Sequence, residues 1–203
     1  MGSQPGATPL SDITIFQIGR RVLLRSIVDE DTAWIYDQAV SVDNGYQWRL
    51  RGQSVPRDKF VDQLWADALC NYVLVGRSNG EALALLQAYK ADFANGHVRV
   101  SLLFRPEHEK SGWPIEGVVL FLHHLFKVWN FRKIYFEGPE FALGNMASGV
   151  GFLFVEEGRY KDHEFHDGEF HDFVVNALYR DTFTEVVQDR MPYLFEDEST
   201  SAN

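Results

Sequence analysis

The stretch VRVSLLFRPEHEKSGWPIEGVVLFLHHLF, residues 98–126, runs from an alternating apolar segment through a short polar loop into an apolar helical run. The loop carries Arg105, Lys110, Ser111 and Gly112, and the helical run opens on Trp113 and Pro114. The first N–H groups of a helix lack internal partners and lie at the positive end of its macrodipole. A phosphate placed there meets donors and charge together. Gly112 lets the backbone approach an anion, and Arg105 and Lys110 bring cations from either side. Pro114 suits the first helical turn because it has no N–H to satisfy. An ordinary strand–loop–helix turn has the same local pattern, so both readings stand on these residues alone.

A second concentration of chemical groups lies between Glu156 and Asp172, where seven acids face two bases and three histidines, His163, His166 and His171. Such a run is ordinarily a solvated face. The three histidines with Asp162, Asp167 and Asp172 match no defined ligand spacing, and strand alternation would divide them between two faces, so no metal is expected. His123 and His124 fall inside the apolar helix and read as packed side chains. Cys70, the single cysteine, adjoins the apolar run Tyr72–Val75 and reads as a buried reduced thiol.

The chain that must position these groups has 203 residues, 45% of them hydrophobic and 14% aromatic, enough for a well-filled core without metal or disulfide. A net charge of −10 disfavours binding to a nucleic-acid backbone and is compatible with a cationic partner. The longest apolar stretch, Val118 to Phe131, is interrupted by His123, His124, Lys127 and Asn130, which argues against a membrane span. With no secretory apolar region at the N-terminus, a cytoplasmic location is expected. Residues 1–11 and the acidic 193–203 read as tails around one body over 12–192.

Within that body, Ile13–Ile27 predicts two short strands or one bent strand, broken at Gly19, Arg20 and Arg21. Helices are expected over 29–40 and from Pro56, then strands over 71–77, 82–89 and 97–104. A helix over 113–129, a strand over 133–137 and a short helix near 141–148 follow. Two long strands, 152–165 and 170–179, close the body around Asp167-Gly168. The fold class is α+β, and the crossover helix makes strands 97–104 and 133–137 parallel.

This order of elements from about residue 20 to 180 resembles the GNAT (Gcn5-related N-acetyltransferase) superfamily, and in particular its ribosomal-protein-alanine N-acetyltransferase branch. Gly112, Trp113, Pro114, Ile115, Glu116 and Gly117 follow that branch's helix-opening motif of Gly, aromatic, two small residues and Glu-Ala. The motif's first glycine is replaced by Lys110, so the phosphate loop is atypical. PEFALGNMASG and the following FVEEGRYKDHEFHDGEFHDFVVNALYR resemble the family's Asn-x-x-Ser and Phe-x-x-Glu-Gly tail with its terminal Arg.

The resemblance implies a mixed, mostly antiparallel sheet flanked by helices. It also implies acetyl transfer from acetyl-CoA to a primary amine, on a small molecule or a peptide N-terminus, by direct attack. It implies Glu164 as general base, Ser148 as the acid that protonates the coenzyme sulfur, and a backbone N–H near Leu103 or Phe104 that polarises the thioester. Arg105, Lys110, Ser111, Gly112, Trp113, Pro114 and Asn145 would then contact the cofactor. A solvated hairpin carboxylate is the alternative for Glu164, and a helix-end hydrogen bond for Ser148. An acidic hairpin bordering the acceptor would favour a cationic amine. Trp34, Tyr36, Trp48 and Trp65 line either a pocket or the core. Two further readings are a transferase using a longer acyl-CoA or an aminoacyl-tRNA, and a catalytically silent acyl-CoA-binding or partner-binding module. Strand edges in such a fold are compatible with a homodimer.

Overall fold

The computed structural model describes residues 13–41, 45–108, 113–143 and 153–192. Eight strands and four helices follow in order: β1 (Ile15–Ile18), β2 (Val22–Ser26), α1 (Asp29–Ala39), α2 (Arg57–Trp65), β3 (Ala68–Gly76), β4 (Ala82–Asp92), β5 (His97–Phe104), α3 (Trp113–Val128), β6 (Lys133–Pro139), β7 (Val155–His166), β8 (Glu169–Tyr179) and α4 (Arg180–Arg190). The strands form one mixed sheet in the order β1-β2-β3-β4-β5-β6-β8-β7. The expected break at Gly19–Arg21 separates β1 from β2, and β5 and β6 are parallel as the crossover requires.

By internal contacts the chain divides into two compact units. One runs to Ala88 and includes Ser101–Phe121; the other comprises Tyr89–Val100 and the residues from Leu122 onward. In the first, Ile35 and Ala39 of α1, Phe60 and Leu64 of α2, Leu85 of β4 and Leu103 of β5 form a buried cluster with Trp48 and Val55. The α1 start is held by Asp31. Its carboxylate accepts from the Val28 N–H at 2.9 Å and from both terminal nitrogens of Arg25 at 2.6 and 3.0 Å. The near-complete burial of this acid is offset by the bidentate pair and the cap together.

In the second unit, Phe126 of α3 packs on Phe183 of α4 with ring centroids 5.2 Å apart. The expected terminal Arg, Arg180, donates to the carbonyls of Phe126, Trp129 and Phe131 at 2.6, 2.9 and 2.7 Å. It thereby satisfies carbonyls at and beyond the α3 C-terminus that have no intrahelical donor. β8 pairs β6 from Tyr179 opposite Lys133 to Phe173 opposite Pro139, and β7 pairs the other edge of β8. The Asp167-Gly168 turn has φ of 50° and 85°, the two left-handed residues a tight hairpin needs.

Of the short helix expected near 141–148 the described chain shows a 3₁₀ turn at residues 140–143, while 144–152 lie outside the described residues. α4, unexpected from sequence, buries only Phe183 and Val187, a four-residue spacing too sparse to register as periodicity.

Candidate functional site

The helix expected to receive a phosphate begins at Trp113, as its residue pattern predicts. Lys110, Ser111 and Gly112 of the preceding loop lie outside the described residues, as do Asn145 and Ser148. What is described is how the helix start is anchored. Glu116 is buried, and its carboxylate oxygens each accept a 2.9 Å hydrogen bond from Arg21, one from the backbone N–H and one from Nε. Gly19 allows this approach, since a Cβ there would meet the Glu116 Oε1 at 2.8 Å. At the next residue, Gly117 lies so close to β3 that a Cβ would meet the Leu74 Cδ2 at 2.2 Å. These contacts fix the first turns of α3 against β3 and the β1–β2 bend. Neither Arg21 nor Gly19 stood out in the sequence except as a strand break.

β5 leads into this helix. It pairs β6 only from His97 opposite Lys133 to Arg99 opposite Tyr135, although β5 runs on to Phe104 and β6 to Pro139. Leu103 is buried in the α1–α2 cluster and Phe104 is half-buried. Arg105 is committed within the protein. Its backbone N–H donates to the Leu83 carbonyl at 2.9 Å, its Nε pairs with Glu107 at 3.1 Å, and its guanidinium sits 5.7 Å from the Trp34 ring centroid. A role in neutralising phosphate would require it to exchange Glu107 for that anion.

The aromatic residues near α1 and α2 divide. Trp48 is core, Tyr36 packs edge-on against Phe60 at 5.2 Å and donates its hydroxyl to the Val55 carbonyl, and Trp65 is exposed. Beneath them lies a polar chain. Arg49 donates to Gln87 at 2.6 Å, and Gln87 donates to Asn71 at 2.6 Å and to the Leu64 carbonyl at 2.8 Å. Gln87 and Asn71 are buried, and no pattern in the strand runs marked them as a pair. Cys70 is buried and free, and burial pushes its thiol up to about 11, so it is inert as a nucleophile at neutral pH.

The β7–β8 hairpin carries Glu164, half-buried and directly opposite His171. Phe141 of the 3₁₀ turn stacks on His166 at 4.9 Å and meets His171 edge-on at 4.8 Å. Much of the hairpin's acidity is neutralised internally. Arg159 reaches Glu140, Glu156 and Asp172 at 2.8 to 2.9 Å, and Lys161 reaches Asp172 at 2.6 Å. Lys161, then Arg159, hold the Asp172 carboxyl down to about 2. Near the base of the hairpin Glu157 accepts from Lys133 at 2.6 and 2.9 Å, from the Tyr135 hydroxyl at 3.0 Å and from the Tyr179 hydroxyl. A bulge between Glu156 and Gly158 lets Glu157 reach these three partners. Among the described residues no three His, Cys, Asp or Glu side chains group to hold a metal, and no helix is long and apolar enough to cross a membrane.

No protein-family model matches the chain, and no curated protein matches it in sequence. Solved structures do. The spermidine N-acetyltransferase from Vibrio cholerae in complex with CoA and spermine superposes with a TM-score of 0.68 at 16% identity, covering 81% of this chain and 98% of that one. A GCN5-related N-acetyltransferase from Brucella melitensis gives 0.68 at 18% identity, covering 89% and 85%. A GNAT-family acetyltransferase from Bacillus anthracis gives 0.65 at 16%, covering 83% and 99%. The fold is therefore that of the GNAT acetyltransferases.

Proposed function

We propose that a chain with this fold transfers an acetyl group from acetyl-CoA to the primary amine of a cationic acceptor. The observation that carries the reading is the order of strand β5, running to Phe104, followed by the anchored start of α3. An extended pantetheine arm can hydrogen-bond to the backbone of such a strand, while the pyrophosphate meets the helix N-terminus. The shared fold with an acetyltransferase bound to CoA and spermine supports both the donor and a polyamine-like acceptor, and the net charge of −10 favours a cation.

Gly112, Ser111 and Lys110, with the backbone at Trp113 and Pro114, would hold the pyrophosphate, and Asn145 would lie near the thiol. A backbone N–H at Leu103 or Phe104 would polarise the thioester carbonyl. Glu164 would act as the general base, and Ser148 would return a proton to the coenzyme sulfur. The motif from Gly112 to Gly117 favours a second acceptor, a peptide N-terminus, as in the ribosomal-protein-alanine branch it resembles.

Titration calorimetry with acetyl-CoA, followed by thiol-release assays against spermidine, spermine and an N-terminal alanyl peptide, tests these readings. Acetyl-CoA binding with thiol release on a polyamine is expected. Binding without release on any amine would make the chain a silent acyl-CoA module, release with a longer acyl-CoA alone would change the donor, and no binding would overturn the proposal.

A further inference from the structure

The turn between β3 and β4 holds two segments that are far apart in sequence. At its start, Arg77 donates to three successive carbonyls of the β1–β2 bend. Its guanidinium Nη1 reaches those of Gly19 at 2.7 Å and Arg20 at 3.2 Å, and its backbone N–H reaches that of Arg21 at 2.8 Å. The same bend supplies the Arg21 N–H and Nε that Glu116 of α3 accepts. The first turns of α3 therefore rest on the bend, and the bend rests on Arg77.

At its other end the turn holds the close of β5. The Leu83 carbonyl accepts from the Arg105 N–H at 2.9 Å, and the Ala82 carbonyl from the Arg105 Nη1 at 3.3 Å. A 3₁₀ turn over Pro106–His108 follows, closed by the His108 N–H on the Arg105 carbonyl at 3.0 Å, and the His108 Nε2 lies 3.1 Å from one oxygen of Glu81. The other Glu81 oxygen accepts from the Asn79 Nδ2 at 2.9 Å, which fixes the direction of the carboxylate. The turn is closed in itself, with the Gly76 N–H on the Glu81 carbonyl and the Gly80 N–H on the Gly76 carbonyl, both at 2.9 Å. Gly80, at φ 70°, supplies its left-handed residue. All of these residues belong to one compact unit.

We infer that the β3–β4 turn sets the spacing of the coenzyme site, with Arg77 and Glu81 as its positioning residues. The inference rests on the acetyl transfer proposed above, which uses the end of β5 for the pantetheine arm and the start of α3 for the pyrophosphate. One ligand engages a strand and a helix N-terminus together only when the two stand at the right separation. A turn that presets the separation removes an ordering cost that binding would otherwise bear. Arg77 and Glu81 act through the elements they hold, and neither is assigned a step in the transfer. Their effect therefore falls on affinity for the coenzyme.

The test is titration calorimetry of the full chain with acetyl-CoA, and steady-state kinetics with whichever of spermidine or the alanyl peptide the unaltered chain acetylates. Arg77→Ala should raise the Kd and KM for acetyl-CoA about 10-fold while kcat at saturation stays the same. Arg77→Lys keeps a cationic donor for the bend and should recover part of that loss. Glu81→Gln and His108→Gln should each raise the Kd about 3-fold, and the two together no further, because the same contact is lost in all three. The Glu81 carboxylate is partly exposed, so its pair with His108 adds little to global stability. These variants therefore decide the matter if Arg77→Ala does not fold. Variants that bind acetyl-CoA like the unaltered chain, or a kcat that falls at unchanged acetyl-CoA KM, overturn the inference and leave the acetyl transfer standing. An unaltered chain that binds no acetyl-CoA overturns both.

Discussion

Arg21 and Glu116 are joined by two hydrogen bonds of 2.9 Å, so that the bend between β1 and β2 is tied to the first turns of α3 through a single carboxylate. Glu116 is buried whereas the Arg21 side chain is about half exposed. The carboxylate therefore matters less as half of an ion pair than as the acceptor for a backbone N–H. Glu116→Gln keeps one acceptor oxygen and should cost about 1 kcal/mol. Glu116→Ala leaves the Arg21 N–H without its acceptor and should cost roughly 1–3 kcal/mol. Urea unfolding of the two variants separates them, and equal losses would show that the charge, not the backbone contact, is what counts.

The next residue gives a prediction of opposite sign to helix propensity. Alanine is favoured over glycine in a helix interior by about 1 kcal/mol. Gly117→Ala should nevertheless lower stability, because the added methyl would stand 2.2 to 2.9 Å from three atoms of the Leu74 side chain. The expected loss is about 1–3 kcal/mol, seen as a fall in Tm. A second substitution, Leu74→Ala, should recover part of it in a double-mutant cycle. A Tm that rises on Gly117→Ala alone would refute the close packing.

Gly117 also marks where the sequence could be read and where it could not. Its place in a helix-opening motif was legible, but the reason for glycine there is a contact with β3 that no local pattern contains. The same division runs through the chain. β5 and the Asp167-Gly168 turn follow from alternation and turn chemistry, which act within a few residues. Arg21, Gln87 with Asn71, and the pairing of Lys133 with Glu157 depend on residues 16 to 95 positions apart, and the last also depends on a bulge that resets strand alternation. Glu164 was picked by resemblance. That it stands opposite His171 required the register.

The Lys133–Glu157 pair predicts an asymmetry. Lys133 is buried, and burial works against its charge, but its hydrogen bonds to the Glu157 carboxylate and to Tyr135 hold its ammonium above the usual lysine range. Removing only the carboxylate, as in Glu157→Leu, strands that ammonium and should destabilise by several kcal/mol. Lys133→Met combined with Glu157→Leu removes both charges and should be less harmful than Glu157→Leu alone. Thermal unfolding of the single and double variants decides it. A double variant less stable than the single would mean that the pair, with Tyr135 and Tyr179, contributes more than the burial of its charges costs.

His123 and His124 predict a pH dependence of stability. Burial lowers the affinity of both for protons, and Lys127 adds to it, with His123 also acting on His124. The folded chain thus binds fewer protons than the unfolded chain near the ordinary imidazole value of about 6.5. Stability then rises with pH through this window. The contribution is fully present above that value and is lost as the pH falls through it towards the lowered native one. His124 is the more buried of the two and meets Trp129 edge-on at 5.9 Å, so its neutral ring is packed in place. His124→Gln cannot protonate, and although it should be less stable than the unaltered chain at pH 7.5, the gap should narrow at pH 5.5. Urea unfolding at the two pH values measures this. A gap that stays constant or widens on acidification would mean that His124 is not the group through which acid acts on the fold.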